Sequence, residues 1–467
     1  MQRLGVINRQ DTKTHRQPPG AGSMATTDTT PDSPGAYQDY NEGLLAFLGD
    51  SPTPFHATGN LGRMFTGAGF TELDERDEWN VQPGRYFVRR NGSSIIAMVV
   101  GTEPLASSGI RMAGAHTDSP CLKLKPNARL QRQGYLQLGV EVYGGVLLNP
   151  WFDRDLSMAG RVTALDTAGN LKNFLIDFER PVATIPSLAI HLDRDVNNAR
   201  SINAQEHLPP VLMTANEDAA SVNDLLRLQL AAQYPDVGVE DILDHEISFY
   251  DTQRPAINGF NGDFIASARL DNLLSCYTGA TSLMTASRTV SSLFVANDHE
   301  EVGSSSAAGA NGPFLAAFLE RVCGDPAMRH RAIARSLMIS TDNAHGIHPN
   351  YPGKHDGNHG PLLNAGPVIK VNANQRYATN SETSAFFRSL SRAAGVACQS
   401  FVTRSDMACG STIGPITAAA IGVRTLDVGV PTFAMHSIRE LAGAADAHNL
   451  HRVLTRFYQH EGPLGVD

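Results

Sequence analysis

The sequence predicts an α/β protein, built on an open mixed sheet flanked by helices, into which a β-rich domain is inserted. Two patterns predict the open sheet. Short apolar runs typical of buried strands alternate with helical stretches, and several of these runs end directly at acidic or histidine residues. Strands that alternate with helices and carry polar chemistry at their ends are typical of an open α/β sheet. A third pattern, a middle section of short strands separated by turns, predicts the insertion.

The N-terminal part predicts a disordered tail, residues 1–36, followed by helices. The tail is rich in Thr, Pro, Gly, Gln and Ser, and its few large apolar side chains cannot offset the entropy cost of ordering. Met24 lies inside the tail, so translation starts either at Met1 or there. An apolar stripe typical of a helix begins at Tyr37, and the segment Ser51–His56 predicts a turn followed by a capped helix with proline at its first position.

The α/β domain is predicted to comprise residues 37–121 and 259–467. Helical stretches in it are Asp271–Ala286 and Gly312–Cys323. The predicted buried strands are Ser94–Val100, Ile110–Ala115, Leu293–Ala296, Leu337–Ser340 and Arg424–Val428.

Residues 122–258 form the predicted β-rich insertion. Its clearest strands are Tyr135–Val142, Gly160–Leu165 and Asn173–Phe178, and Gly144-Gly145 lies between the first two. With 467 residues, the chain is too long for one simple core, which also favours a second domain.

Composition excludes several classes of partner. The net charge of −9 disfavours nucleic acid, because phosphate binding needs a basic surface. No apolar run approaches the ~20 residues of a membrane span, and the polar N-terminus has no apolar core of a secretory signal. The five cysteines are scattered and have no C-x-x-C spacing, which indicates reduced thiols in a cytoplasmic protein.

Two motifs at predicted strand ends carry residues for metal chemistry. In His116-Thr117-Asp118, the histidine suits a metal ligand and the Asp118 carboxylate can fix its ring orientation. Glu300 and Glu301 follow another strand, so one can bind a metal ion while the other acts as a general base, as amide hydrolysis requires. Each motif alone is more often an ordinary turn or a solvated acidic loop.

Three further residues match the same chemistry. Asp271 lies where a helix begins, and the sequence leaves open whether it caps that helix or binds metal. Asp342 follows a predicted strand, and His436 lies in a mostly apolar context. The combination of two histidines and three carboxylates at the ends of separate core elements predicts a pair of zinc ions ~3.5–4 Å apart, with one carboxylate bridging.

Several segments of the sequence resemble the aspartyl aminopeptidase family. These enzymes are co-catalytic zinc exopeptidases with a β-rich dimerisation domain inserted in the catalytic domain. The likeness extends from about Asp39 to Phe457, whereas the loop Asp406–Gly410 varies. The segments that carry it are AHTDSPCLKLKP (Ala115–Pro126), WFDRDL (Trp151–Leu156), ARLDN (Ala268–Asn272), DHEEVGS (Asp298–Ser304), HPNY (His348–Tyr351), GPVIKVNANQRYATN (Gly366–Asn380) and MHSIRE (Met435–Glu440).

The resemblance implies a role for each site residue. One zinc ion would be held by His116, Asp271 and Asp342, and the second by Asp271, Glu301 and His436, so that Asp271 bridges. Glu300 would be the catalytic base and Asp118 the residue that orients His116. The residues implied on the substrate side are His345, Lys370 and Tyr377, together with His191, which would reach a neighbouring subunit's site.

The implied function is release of N-terminal amino acids, preferentially Asp and Glu, from peptides. Manganese or cobalt tolerates the same nitrogen and oxygen ligands as zinc. The resemblance also implies a homo-oligomer, with dimers assembling to a tetrahedral dodecamer. Two alternatives are a related co-catalytic hydrolase, such as a carboxypeptidase or deacylase, and a non-catalytic scaffold. The presence of Glu300 beside a full ligand set argues against the scaffold.

Overall fold

The computed structural model describes residues 37–215 and 221–465. The predicted tail, residues 1–36, lies outside this part of the chain. The helices are α1 (Gln38–Gly49), α2 (Pro54–Gly67), α3 (Leu105–Ser108), α4 (Val196–Ala199), α5 (Ala204–His207), α6 (Val222–Gln233), α7 (Leu270–Leu283), α8 (Phe314–Cys323), α9 (Pro326–Ala334), α10 (Ser381–Ala393), α11 (Ile413–Ile421) and α12 (Asp446–Tyr458).

The strands form three sheets. They are β1 (Thr71–Glu72), β2 (Gly84–Arg90), β3 (Ser94–Val100), β4 (Ile110–His116), β5 (Cys121–Arg132), β6 (Tyr135–Tyr143), β7 (Leu156–Asp166), β8 (Leu171–Asp177), β9 (Val211–Thr214), β10 (Val239–Asp251), β11 (Ala256–Asn258), β12 (Phe264–Ser267), β13 (Ser291–Asn297), β14 (Leu337–Thr341), β15 (Ala344–His345), β16 (Val368–Lys370), β17 (Gln399–Phe401), β18 (Arg424–Gly429), β19 (Pro431–Phe433) and β20 (Glu440–Gly443).

The largest sheet is mixed and open, with strand order β1-β2-β3-β13-β4-β14-β18-β16-β17. Its centre, β13-β4-β14-β18, is parallel. On one side of this centre β3 runs antiparallel to β13, and on the other side β16 runs antiparallel to β18. This arrangement confirms the predicted fold class. The predicted strands of this sheet are all present and extend one or two residues beyond the apolar runs at some ends.

Helices cover both faces of this sheet. Successive strand residues point to opposite faces, so Ile95 and Ala97 of β3 join one apolar cluster with α1, α2, α7, α10 and α12. Ile96 and Met98 join another cluster, with α8 and α9. Burial on both faces explains why these strands are continuous apolar runs rather than alternating ones.

The second sheet is antiparallel, with order β8-β7-β10-β5-β6-β9, and lies within residues 121–251. Its core includes Trp151 and, from α6, Leu226 and Leu230. The strand predicted at Gly160–Leu165 is part of the longer β7. Gly160 marks the place where the backbone of β10 comes too close for a side chain, which explains a glycine inside a strand.

A smaller sheet, with order β11-β12-β20-β19-β15, was not predicted. Its strands are short, and the pairings of β12 with β20 and of β15 with β19 join segments far apart in the sequence, so no local pattern indicates the sheet. Strand β11, which falls inside the predicted insertion of 122–258, pairs with β12 and not with the second sheet. This sheet places β15, β19 and β20 beside the carboxyl ends of the parallel strands.

Local signals at the helix ends are partly confirmed. Helix α2 begins after Thr53, whose hydroxyl accepts from the His56 backbone, and Pro54 is its first residue, as predicted. In the described residues, none of the helices has both the length and the apolar character that crossing a lipid bilayer requires.

Candidate metal centre

The parallel strands bring the predicted metal ligands to one edge of the main sheet. His116 is the last residue of β4, and Asp342 directly follows the neighbouring strand β14. Glu300 and Glu301 come three and four residues after β13, on the other side of β4. The carboxyl ends of adjacent parallel strands lie side by side, so residues distant in sequence meet there.

His116 contacts two of the carboxylates. Its Nε2 lies 3.5 Å from Asp271 Oδ1 and 4.0 Å from Asp342 Oδ1. One potential ligand atom from each of these three residues falls within a 4.8 Å cluster, and all three residues are buried. The structure therefore groups them as one set of potential metal ligands.

His436, Asp271 and Glu301 form a second set. His436 Nε2 lies 3.5 Å from Asp271 Oδ2 and 3.3 Å from Glu301 Oε2. Asp271 thus directs one oxygen to each histidine, which places it between the two sets. A third group within the same distance combines His116 with Glu300 and Glu301.

Asp271 does not cap helix α7, which was the alternative role left open by the sequence. The N-cap of α7 is Arg269, and Asp271 has non-helical backbone angles (φ −82°, ψ 103°) next to a cis peptide bond. Its carboxylate faces the two histidines instead of the backbone N–H groups of the helix. The helix-start pattern could not reveal this, because His116 and His436 approach from other elements.

The residues present fit a pair of divalent cations. Asp271 Oδ1 and Glu301 Oε1 are buried and have no hydrogen-bond partner among the described residues. Burying such oxygens costs free energy of folding unless a partner such as a cation binds them. The donors are imidazole nitrogens and carboxylate oxygens, which suit zinc.

Burial and mutual repulsion raise the pKa of several carboxyls here. Burial, with Asp342 and Asp271 nearby, raises the pKa of Glu300 to about 7. Burial likewise raises the pKa of Asp342 to about 6, although Lys370 opposes this shift. Burial also acts to raise the pKa of Asp271, but the interaction of its carboxylate with His116 and His436 outweighs burial, and that pKa is lowered. A dense group of buried carboxyls with displaced pKa values is characteristic of a functional site.

Asp118 contacts more groups than the His116 ring that it was predicted to orient. The closest acceptor for His116 Nδ1 is the Asp118 backbone oxygen at 3.1 Å, while the carboxylate lies at 3.4 Å. The carboxylate accepts the backbone N–H groups of Glu300 and Glu301, each at 3.1 Å, and the Tyr143 hydroxyl at 2.7 Å. Asp118 therefore contacts both His116 and the loop that carries the two glutamates.

Sequence reasoning missed two residues that hold the ligands. Glu440 accepts the backbone N–H groups of Asp271 and His436, at 3.0 and 2.7 Å. The carbonyl oxygen of Gly145 lies 3.1 Å from His436 Nδ1. Glu440 is part of the MHSIRE segment, four residues after His436, but only the tertiary structure brings it to Asp271 and brings Gly145 to His436.

Three of the predicted substrate residues lie close together. Lys370 and Tyr377 are buried, with the ammonium 5.1 Å from the ring centroid. Lys370 Nζ lies 3.6 Å from Asp342 Oδ2 and donates to the Asn343 carbonyl. Tyr377 and His345 line a cavity of about 310 Å³ that ends near His436, at Met435.

His191 lies apart from the other predicted site residues. Its side chain is exposed on the segment between β8 and α4, and it does not line the two described cavities beside the ligand cluster. Its neighbours Leu188, Ile190 and Leu192 are also exposed, by 59%, 47% and 74%. Apolar side chains this exposed are common where another protein surface binds.

Known proteins resemble the chain over most of its length. Residues 47–458 match the model of the family described as aminopeptidase I zinc metalloprotease (M18). A probable M18 family aminopeptidase 2 of Ectopseudomonas mendocina (strain ymp) is 60% identical over 419 residues, which are 89% of this chain and 97% of the relative. The protein of the same description from Pseudomonas entomophila (strain L48) is 60% identical over 421 residues, covering 90% and 98%.

Solved structures show the same likeness. The cryo-EM structure of the Ape4 and Nbr1 complex contains a chain that is 37% identical, with a TM-score of 0.87, over 91% of this chain and 86% of that one. The S. cerevisiae mApe1 dodecamer matches with 27% identity and a TM-score of 0.80, over 91% and 97%. The family match, these relatives and the shared fold show that the chain belongs to the M18 family of zinc metallo-aminopeptidases.

Proposed function

We propose that this M18 aminopeptidase is a two-zinc enzyme that releases N-terminal amino acids, preferentially Asp and Glu, from peptides. The observation that carries the two-zinc proposal is the position of Asp271, whose two oxygens each lie 3.5 Å from a different histidine. One zinc ion is assigned to His116, Asp271 and Asp342, and the other to Asp271, Glu301 and His436. Manganese or cobalt could occupy the same ligands.

In this proposal Glu300 acts as the general base. When bound, the zinc ions supply Lewis-acid polarisation of the scissile carbonyl and favour deprotonation of water. Glu300 takes a proton from the attacking water and then gives it to the leaving amine. Its pKa of about 7 in the metal-free site is close to neutral pH, where a group can both accept and return a proton. Asp118 fixes the direction of this side chain through the Glu300 backbone N–H.

The charge around the neighbouring cavity supports a preference for acidic residues. The cavity beside His436 is lined by Lys354 and three histidines, and no carboxylate is among its described lining residues. Burial lowers the pKa of His345 to about 4 and also lowers the pKa of His355, so Lys354 rather than these two histidines carries positive charge at neutral pH. A substrate carboxylate would be attracted to that charge. Lys370 pairs with Asp342, and its ammonium also lies against the ring of Tyr377. In this proposal the charge of Lys370 attracts the acidic side chain of the substrate.

We further propose a homo-oligomer in which dimers assemble to a tetrahedral dodecamer and the second sheet belongs to the dimerisation domain, residues 122–258. A structural relative is described as a dodecamer. The exposed Leu188, Ile190 and Leu192 beside His191 support a subunit contact there. The five cysteines, which form no disulfide, support a reducing, cytoplasmic location.

One experiment tests the activity and the metal content together. The pure protein is assayed for bound zinc, manganese and cobalt, and for hydrolysis of aspartyl, glutamyl and leucyl peptides of the same length. We expect two metal ions per chain and faster release of Asp and Glu than of Leu. Equal rates for all three peptides would reject the acidic preference, and one ion per chain would reject the paired site.

A further inference from the structure

The end of strand β6 touches the metal centre of its own chain. This strand belongs to the second sheet, whereas the proposed ligands lie at the ends of main-sheet strands, at the start of α7 and in the loop between β19 and β20 of the smallest sheet. Tyr143 is the last residue of β6, and its hydroxyl donates to Asp118 Oδ2 at 2.7 Å. The ammonium of Lys123 lies 3.8 Å from the centroid of the Tyr143 ring, which holds the ring in place.

The residues that follow Tyr143 contact the His436 loop. Gly145 O lies 3.1 Å from His436 Nδ1, and Leu147 donates its backbone N–H to His436 O at 3.1 Å. Two residues after His436, the side chain of Ile438 is 5% exposed and packs in the core of the second sheet. The loop that carries His436 is therefore held by the second sheet on both its backbone and its ring.

A carbonyl that accepts a hydrogen bond from one imidazole nitrogen determines which nitrogen can bind a metal ion. When Gly145 O accepts the Nδ1–H of His436, the proton is fixed on Nδ1 and the lone pair of Nε2 faces Asp271 and Glu301. Gly145 has little room for a side chain, because an added Cβ would lie 3.1 Å from His436 Nδ1. The adjacent Gly144 has a φ of +72°, and its added Cβ would lie 3.1 Å from the Cβ of Glu301.

We propose that residues 143–147, the positioning segment, fix the metal ligands of the same chain. Tyr143 acts through Asp118 on His116 and the glutamate loop, and Gly145 acts directly on His436. This inference rests on the proposed two-zinc function. It gives the inserted sheet a role inside its own subunit, separate from any contact that it makes with a neighbouring subunit.

The test measures zinc binding to the full chain after removal of metal with a chelator. Gly145→Ala and Tyr143→Phe are compared with two controls from the same sheet. Gly139→Ala adds the same methyl group within β6, where its closest neighbours lie at an ordinary 3.5 Å. Tyr234→Phe removes a hydroxyl that donates to the Leu175 carbonyl on β8 and not to a proposed ligand.

We expect Gly145→Ala to weaken binding of one zinc ion by about 10-fold or more, the range found when partners of metal ligands are changed. Tyr143→Phe should weaken zinc binding by a similar factor. In both variants the melting temperature of the metal-free chain should match that of its control, because the segment acts on ligand position. That readout separates positioning from a general loss of stability.

Several outcomes would overturn the inference. Zinc affinities equal to those of Gly139→Ala and Tyr234→Phe would show that the segment does not position the ligands. A lower melting temperature of the metal-free chain with unchanged zinc affinity would show a structural role only. If the wild-type chain itself fails to bind two zinc ions, the proposed function and this inference both fail.

Discussion

Glu300 and Glu301 are adjacent in sequence and have different surroundings in the structure. Glu301 Oε2 lies 3.3 Å from His436 Nε2, and its other oxygen is buried without a partner. Glu300 belongs to a group with His116 but has no ion pair with a histidine within 4.0 Å among the described contacts. Both residues lie in the short 3-10 helix Glu300–Val302, so the difference lies in the neighbours of each carboxylate. This difference supports a base and a ligand, respectively.

We predict that Glu300→Gln retains both metal ions and the fold but loses activity by about 10²–10⁴-fold or more, the usual contribution of a general base. The amide cannot accept the proton from water, although it has almost the same size. The measurements are metal content and the rate of aspartyl-peptide hydrolysis. The comparison variant is Glu301→Gln, which should lose metal. Equal metal loss in the two variants would contradict the assignment of Glu300 as base.

At the scale of a single element, β4 links the metal centre to the C-terminal end of the described chain. His116 lies at one end of the strand, and Arg111 lies near the other. Arg111 is fully buried, and its guanidinium donates to the backbone carbonyls of Ser108, His460 and Gly462 at 2.5–2.8 Å. A buried guanidinium with these partners holds the segment after α12 against the start of β4.

We predict that Arg111→Met lowers the free energy of unfolding by about 3 kcal/mol, because the carbonyls of three half-buried residues lose a charged donor. Activity per folded molecule should change little, since the metal ligands are not touched. Chemical denaturation and the specific activity of the folded fraction measure the two effects. The matched control is Arg76→Met on the surface, where the side chain is 87% exposed and pairs with Asp74. A loss of stability no greater than in the control would contradict this account.

For the whole molecule, the metal centre concentrates negative charge in a buried place. In the metal-free protein, burial and acidic neighbours raise the pKa values of Asp342, Glu300 and Glu440 to about 6, 7 and 8. In an unfolded chain such carboxyls titrate near ~4. At a pH between the unfolded value and these three raised values, the folded metal-free protein therefore binds more protons than the unfolded chain. Its free energy of unfolding falls as the pH rises through this range.

We predict that zinc stabilises the protein more at about pH 8.5 than at about pH 5.5, because bound cations remove a repulsion that protons relieve at lower pH. The measurement is the difference in melting temperature between zinc-loaded and chelated protein at each pH. As a control, Glu440→Gln should reduce the pH dependence, since it removes one of the titrating carboxyls. A difference that is constant with pH, or larger at the lower pH, would contradict the prediction.

A second prediction at this scale concerns His191 and the proposed subunit contact. Because the His191 side chain is exposed, it is not a buried histidine whose hydrogen bonds are made within its own domain. We predict that His191→Ala and Glu300→Gln are each nearly inactive alone. Mixed dimers should recover activity, because the subunit with intact Glu300 receives His191 from its partner. Random exchange of two-fold symmetric dimers would restore about a quarter of the sites.

The exchange itself is verified by native mass spectrometry or a tag on one variant. His330→Ala, at an exposed position on α9, is the control and should remain active. Verified exchange without recovery of activity would show that His191 acts within its own subunit or only on structure.

The sequence by itself determined the fold class and named the residues of the proposed ligand set. Strands that are buried on both faces are continuous apolar runs, so β3, β4 and β14 were predictable within one or two residues. His116, Asp342 and the two glutamates follow such strands, and the order of parallel strands makes their meeting predictable. For Asp271, Lys370 and His191, whose roles remain proposals, the resemblance to a family supplied what local pattern could not.

Only the tertiary structure decided which groups surround those ligands. The turn of Asp271 away from the helix cap, the bond from its N–H to Glu440 and the approach of Gly145 to His436 depend on contacts between segments more than a hundred residues apart. The small sheet was missed because the pairing of β12 with β20 spans a similar separation. Hydrophobic periodicity records which face of an element is buried, whereas the partner of a polar group is set by packing across the whole chain.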